Sequence, residues 1–250
     1  MNDSFGISFD FWNTLYANGE ESERARLRES YFYKVASRYT NPDRERISTA
    51  FRGSTALFLN EWRQNFRTPT AEERIRYIAA ELNLNLSHPD IIEIGDYFGR
   101  LIFEVPPQKI AAVDQVIPVL AKSHPLAIIS DTGYISGKYI RYFLKEEGLL
   151  PFFTSLVFSD EHPNSKPHRS VFQTTCSTMK TVASRLIHIG DLEHTDVAGI
   201  KNFGGISIKF TGADDTASDL SDADFQCDSY PQLPSLIDKI ASSESGVYFS

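Results

Sequence analysis

Apolar residues in this chain first crowd into a short run, then spread to helical spacing between residues 17 and 105, and then alternate between the two patterns. The opening run, Ile7-Ser8-Phe9, climbs to Asp10 and breaks into the turn-prone Phe11-Trp12-Asn13-Thr14-Leu15-Tyr16. That pattern predicts a buried strand with a carboxylate at its carboxyl end. In the helical stretch, Leu27, Tyr31, Phe32, Val35, Ala36 and Tyr39 predict one apolar face. Asn41-Pro42-Asp43 predicts a second helix with Asn41 as N-cap and Pro42 at its first position, its buried stripe running through Ile47, Phe51, Phe58 and Trp62. Thr70-Ala71-Glu72-Glu73 reads as a capping box ahead of Ile75, Ile78, Ala79 and Leu82, and Ser87-His88-Pro89-Asp90 starts a last helix that ends near Pro106-Pro107.

Beyond the double proline, helix and strand signals alternate. Strands are predicted at Leu126–Ile129 leading into Ser130-Asp131, at Ser155–Phe158, at Arg185–Ile189 leading into Gly190-Asp191, and at Ile206–Ile208. Helices are predicted at Val113–Leu120, through Tyr139 and Phe143 to a stop at Gly148, around Val171-Phe172, and from Asp196 to Gly204-Gly205. This alternation predicts an α/β fold with a doubly wound parallel sheet. The stretch from Thr211 to Asp228, with Asp214, Asp215, Asp219, Asp222 and Asp224, reads as acidic surface loop with a short strand near Phe225–Cys227. Leu233, Leu236, Ile237 and Ile240 predict a terminal amphipathic helix.

Composition narrows the function classes. With 250 residues, 41% of them hydrophobic, the chain can bury a full core. A formal charge of -8 argues against a nucleic-acid partner. Cys176 and Cys227 lie far apart without metal-ligand spacing and read as reduced thiols. No basic-then-apolar leader and no run of membrane-spanning length is visible, so the expectation is a cytoplasmic protein with no membrane partner. The charge is unevenly placed: twelve of fifteen arginines, but one of ten lysines (Lys34), fall between residues 17 and 105. Arginine grips phosphate or carboxylate bidentately, so some of these could select an anionic substrate, while most are expected to be solvated and paired with Glu.

Four polar clusters sit at predicted strand ends or in adjoining loops: Asp10 with Thr14, Ser130 with Asp131, Lys166-Pro167, and Asp191 with Asp196. Ligands bind outside the carboxyl ends of parallel strands, which makes Asp10 a candidate nucleophile. Each residue has a plainer alternative: Asp10 and Ser130 as turn formers, Lys166 as a solvated loop charge. The histidines lack paired ligand spacing, and His188, in an apolar strand, reads as a satisfied core residue. No Walker-type phosphate loop is present.

In this order the clusters resemble the haloacid dehalogenase-like hydrolase superfamily along the whole chain. Asp10-x-x-x-Thr14 is similar to its first motif, Ser130 to the second, Lys166 to the third, and Gly190-Asp191-Leu192-Glu193-His194-Thr195-Asp196 to the fourth. The resemblance implies a Rossmann-like core, residues 1–16 and 106–250, with an all-helical cap domain, 17–105, inserted after the first strand. It implies catalytic roles for Asp10, Thr14, Ser130 and Lys166. Substrate would meet Ser130, Asp131 and Lys166, and Mg²⁺ would be held by Asp10, the Trp12 carbonyl, Asp191 and Asp196. The implied activity is hydrolysis of a small phosphorylated metabolite through an aspartyl-phosphate on Asp10.

One position departs from that pattern. Family phosphatases carry a second aspartate two residues after the nucleophile, as acid and base, where this chain has Trp12. An indole only donates a hydrogen bond and cannot take that role. Glu193 and His194 are possible stand-ins. The aromatic also resembles 2-haloacid dehalogenases, which place a tyrosine there but usually lack the Gly-Asp that supplies Asp191. A catalytically weak protein that binds a phosphorylated ligand is the third reading.

Overall fold

The computed structural model describes residues 4–213 and 220–245. Six strands form a parallel sheet: β1 (Gly6–Phe9), β4 (Leu126–Ser130), β5 (Phe153–Phe158), β6 (Leu186–Gly190), β7 (Ile206–Phe210) and β8 (Phe225–Cys227), in the order β5-β4-β1-β6-β7-β8. Strand side chains alternate between faces, so each buried strand feeds two cores. Ile7, Phe9, Leu126 and Ile128 pack with α5 (Val113–Leu120), α6 (Gly137–Glu146) and α9 (Leu233–Ser245). Ala127, Ile129 and Leu186 pack on the other face with α7 (Arg169–Met179) and α8 (Ala198–Phe203). The Rossmann-like, doubly wound α/β core follows from that two-sided burial.

Pairing of β1 with β4 on one side and β6 on the other sets Phe9 level with Ile128 and Ile189. All three strands run the same way, so their carboxyl ends open on one edge. The residues at or just beyond those ends, Asp10, Ser130 and Asp191, therefore become neighbours across more than 170 positions of sequence.

The chain leaves this core at β2 (Tyr16–Ala17) and returns at β3 (Gln108–Lys109), which pair antiparallel as a short ribbon. Lys109 and the Tyr16 hydroxyl both reach Glu147, at 2.7 and 3.2 Å, and tie the ribbon to the end of α6. Between them lies an inserted all-helical cap of α1 (Glu21–Ala36), α2 (Arg44–Asn65), α3 (Ala71–Glu81) and α4 (His88–Glu104). It has its own core of Phe32, Val35, Ile47, Phe51, Ile75, Ile78, Ile94 and Phe98. Tyr134, from the loop after β4, enters that core and links the two parts.

Most predicted elements occur, with instructive differences. The Thr70 capping box and the Ser87 N-cap are present. The second helix begins later than expected: Asp43, not Asn41, is its N-cap, because the Asp43 carboxylate accepts the Glu45 N–H at 2.8 Å and Pro42 stays outside. The first helix ends before Tyr39, which is exposed, and its buried face carries Arg24 and Arg28 while Leu27 is only partly covered. Phe58 and Trp62 are half-buried rather than core. Residues 193–197 form a wide π-helical turn ahead of α8, so the predicted helix start at Asp196 falls inside that turn. Of the acidic stretch after Thr211, Asp214, Asp215 and Asp219 lie outside the described residues.

Candidate active site

Asp10 leaves the end of β1 buried, with its Oδ1 accepting the Phe11 N–H at 2.7 Å and lying 3.0 Å from Lys166 Nζ. The Phe11 carbonyl accepts the Leu15 and Tyr16 N–H groups, both at 3.0 Å, which curls the following residues into a tight turn. Asn13 adopts a left-handed backbone in that turn (φ 52°), a conformation that Asn tolerates better than most side chains. Its side-chain amide donates to Asp191 Oδ2 at 3.4 Å, bridging the β1 and β6 loops.

Lys166 reaches the same place from the loop before α7. It is buried, with Nζ 2.6 Å from Asp196 Oδ1, and its backbone N–H donates to Asp131 Oδ1 at 3.0 Å. Burial opposes its charge, but Asp10, Asp196 and Asp131 together push its pKa up, so it stays an ammonium. Asp196 arrives from the wide turn after β6, where Leu192 N–H donates to its Oδ2 at 3.0 Å. Gly190 is required for this approach: a Cβ there would lie 2.3 Å from the Asp196 carboxyl carbon.

Oxygens of Asp10, Asp191 and Asp196 all lie within 4.8 Å of one another. That crowding perturbs their acidities. Asp191 is pushed up to about 8, first by burial and then by Asp196 and Asp10. Asp10 rises to about 6, again mainly through burial, with Lys166 pulling the other way. Asp196 resists its own burial and is held well below the usual carboxylate range by Lys166 and His188. Asp131, nearby, is also raised, chiefly by burial. One ammonium among four carboxylates is an unbalanced site, and an all-oxygen donor set of this kind suits a hard divalent cation.

Three buried hydroxyls in the described residues have no hydrogen-bond partner: Ser130 Oγ, Thr14 Oγ1 and Ser165 Oγ. An unpaired buried hydroxyl costs about 1–3 kcal/mol, and two of these three lie at predicted site positions.

Sequence reasoning missed two participants. His188 is indeed satisfied in the core, but its Nε2 lies 2.9 Å from Asp196 Oδ1 and its Nδ1 2.9 Å from Ser8 Oγ. The pairing of Ser8 with His188 across β1 and β6 builds this polar rung beneath the site; two lone polar residues in apolar strands were the available signal. Trp62 is the second. Its indole N–H donates to Asp131 Oδ2 at 2.8 Å and its ring packs against His194 at 5.1 Å, so the cap bears on both core loops. Of the proposed stand-ins for the missing aspartate, Glu193 is engaged by Lys209 and Ser221, at 3.1 and 2.8 Å. His194 is exposed. Trp12 itself is half-buried, edge-on to Phe11 at 4.8 Å and 5.5 Å from the Arg24 guanidinium.

A cavity of about 500 Å³ opens between cap and core. It meets the core at Trp12 and Asp131, one residue past Ser130, and meets the cap at Arg28, Phe58 and Arg74. Asp10 is not among the residues that line it.

A parallel sheet with acidic residues at the ends of its middle strands, under an inserted helical cap, defines a class of α/β hydrolase. The haloacid dehalogenase-like hydrolase profile matches residues 58–210, and the chain belongs to that family. Solved structures share the fold across nearly the whole chain. A 2-haloacid dehalogenase from Pseudomonas syringae pv. Tomato superposes with a TM-score of 0.70 at 17% identity, covering 95% of this chain and 99% of its own. YfnB of Bacillus subtilis, solved bound to magnesium, gives 0.63 at 15% identity, covering 94% and 99%. A phosphatase of the same family from Thermococcus onnurineus gives 0.62 at 19% identity, covering 93% and 97%. No curated protein matches the sequence. No helix among the described residues is long and apolar enough to cross a membrane.

Proposed function

We propose that this protein is a Mg²⁺-dependent phosphatase acting on a small phosphorylated metabolite, with residues 17–105 serving as cap over a catalytic core of 1–16 and 106–250. The observation that carries this reading is the trio of Asp10, Asp191 and Asp196, with Ser130 at the end of β4, the strand paired with β1. Those carboxylates, with the Trp12 carbonyl, would hold the ion. When bound, it would offset negative charge between nucleophile and phosphoryl group.

The protein's own groups supply the rest. Asp10 Oδ1 is engaged by Lys166 and Phe11 N–H, which leaves Oδ2 to attack phosphorus. The new O–P bond forms as the ester O–P bond breaks, and the alcohol leaves with a proton taken from water, since Trp12 has none to give. Water then cleaves the aspartyl-phosphate, restoring the Asp10 carboxylate and releasing phosphate. Ser130 donates to a phosphoryl oxygen, Lys166 balances the gathered charge, and Thr14 supports the turn that presents Asp10. Asp131 borders the substrate while its carboxylate holds the Lys166 backbone and Trp62.

A second reading, a metal-independent 2-haloacid dehalogenase, is favoured by the aromatic Trp12; retained Asp191 weighs against it. Phosphate release from a panel of small esters with and without Mg²⁺, against Asp10→Asn, separates them. Metal-dependent release lost in the variant supports the phosphatase. Halide release from 2-haloacids without metal would replace it with the dehalogenase. Ligand binding with neither turnover would leave a phospho-ligand binder.

A further inference from the structure

The cap's buried charge is opposite in sign to that of the core site. Arg24, Arg28 and Arg74 are all buried, and among the described residues a single carboxylate, Glu21, lies within ion-pair distance of any of them. Arg24 spends its guanidinium on Glu21, the Val105 carbonyl at 3.0 Å and Asn18 Oδ1 at 2.6 Å. Arg28 is paired with Glu21.

Arg74 differs. Its Nε donates to Ser54 Oγ at 3.1 Å and an Nη to Thr55 Oγ1 at 3.5 Å, and its guanidinium lies 3.6 Å from the Tyr134 ring centre and 5.0 Å from that of Phe58. Among the described residues no carboxylate lies within ion-pair distance of it, although Glu21 and Glu29 both line the same cavity. Burial dominates and lowers its pKa, although Tyr134 and the more distant Glu21 favour its charge, so a guanidinium held by hydroxyls without an ion pair gains from an added anion. Its position says where that anion would sit. Arg74 lines the cap wall of the cavity whose core wall is Trp12 and Asp131, and a Cβ on Gly133, three residues past Ser130, would lie 3.9 Å from Arg74 Nη1. Aromatic side chains of Phe51, Phe58 and Tyr134 line the space with it.

We infer that Arg74, with Arg28 beside it over the same Tyr134 ring, receives a second anionic group of the substrate at the cap end of this cavity. The substrate class is then a phosphate monoester carrying a carboxylate on a short, largely apolar spacer. The inference rests on the phosphatase reading only for which end of the molecule reacts; the anion subsite stands on the cap geometry. A planar guanidinium pre-oriented by stacking is matched to a carboxylate's two oxygens.

The test compares n-alkyl phosphates with ω-carboxyalkyl phosphates of about three to five carbons, in the wild type, Arg74→Gln and Arg74→Lys, each checked for folding by circular dichroism melting. The wild type is expected to prefer the carboxylated ester in kcat/KM, and Arg74→Gln to cut that preference roughly 10- to 100-fold, the worth of a charge-assisted pair of hydrogen bonds. Arg74→Lys, which keeps charge but not the fork, is expected to fall between. A merely structural arginine would move both esters together and leave the ratio unchanged, which overturns the inference while sparing the phosphatase. If no ester turns over, the phosphatase reading falls, and calorimetry with ω-carboxyalkyl phosphonates against alkyl phosphonates decides the subsite. Tighter binding of the carboxylated ligand that is lost in Arg74→Gln upholds it; equal binding of both overturns it.

Discussion

Raising the pH of the metal-free protein forces charge onto a buried cluster that has one ammonium for its carboxylates. Asp191 and Asp10 have folded-state pKa values of about 8 and about 6, both above their unfolded values. The stability such groups contribute is fully present below about pH 4 and is lost as the pH climbs through those two values. Mg²⁺ bound at the proposed site is expected to reverse the loss, because a carboxylate must be deprotonated to ligate it. At about pH 5, Asp191 is protonated roughly a thousandfold over its ionised form and Asp10 about tenfold, so apparent Mg²⁺ affinity falls by up to about 10⁴ relative to pH 8. Mg²⁺ at about a hundred times its Kd at pH 8 adds roughly 2.7 kcal/mol, which is a Tm rise of about 5–10 °C for a protein of this size. The same concentration at pH 5 adds almost nothing. Differential scanning fluorimetry across that pH range, with and without Mg²⁺, reads the difference directly. An equal Tm rise at both pH values, or an undiminished rise in Asp191→Asn at pH 8, would refute the cluster as the cation site.

Two further outcomes follow from the same geometry. Lys166→Met removes the ammonium among Asp10, Asp131 and Asp196, and breaking a buried pair in this way costs about 3–5 kcal/mol at neutral pH; an unfolding free energy from urea titration lowered by less than about 1 kcal/mol contradicts that charge balance. Trp12→Asp supplies the missing acid and base, so phosphate release is expected to rise about a hundred- to ten-thousand-fold over wild type, and no gain in a folded variant would show that Trp12 is not what limits turnover.

Much of the molecule was legible in its residues. Short apolar runs ending in Asp10, Ser130 and Gly190-Asp191 announced buried strands delivering polar groups, because strand burial and turn chemistry are local and leave a period in the sequence. Helical spacing between residues 17 and 105 likewise announced the insertion. Local pattern failed where a side chain's partner comes from elsewhere. Arg24, Arg28 and Arg74 look like ordinary surface arginines in a helical pattern, and only tertiary packing, of Arg24 against Trp12 and of Arg28 and Arg74 around Tyr134, shows them buried. Trp62 matches a core stripe by spacing, yet its indole N–H finds Asp131 across the interface.

The sequence by itself determined the order of elements, the α/β class and the cast of acidic residues, since each follows from neighbours a few positions apart. The tertiary structure alone decided their company. Pairing of β1 between β4 and β6 brings oxygens of Asp10, Asp191 and Asp196 to within 4.8 Å, and burial, with their mutual repulsion added to it, sets their acidities apart from those of ordinary carboxylates. The same folding brings Arg74, buried and without an ion pair among the described residues, to the opposite wall of one cavity. Charge energies depend on distance and burial, and neither is written in the spacing of residues along a chain.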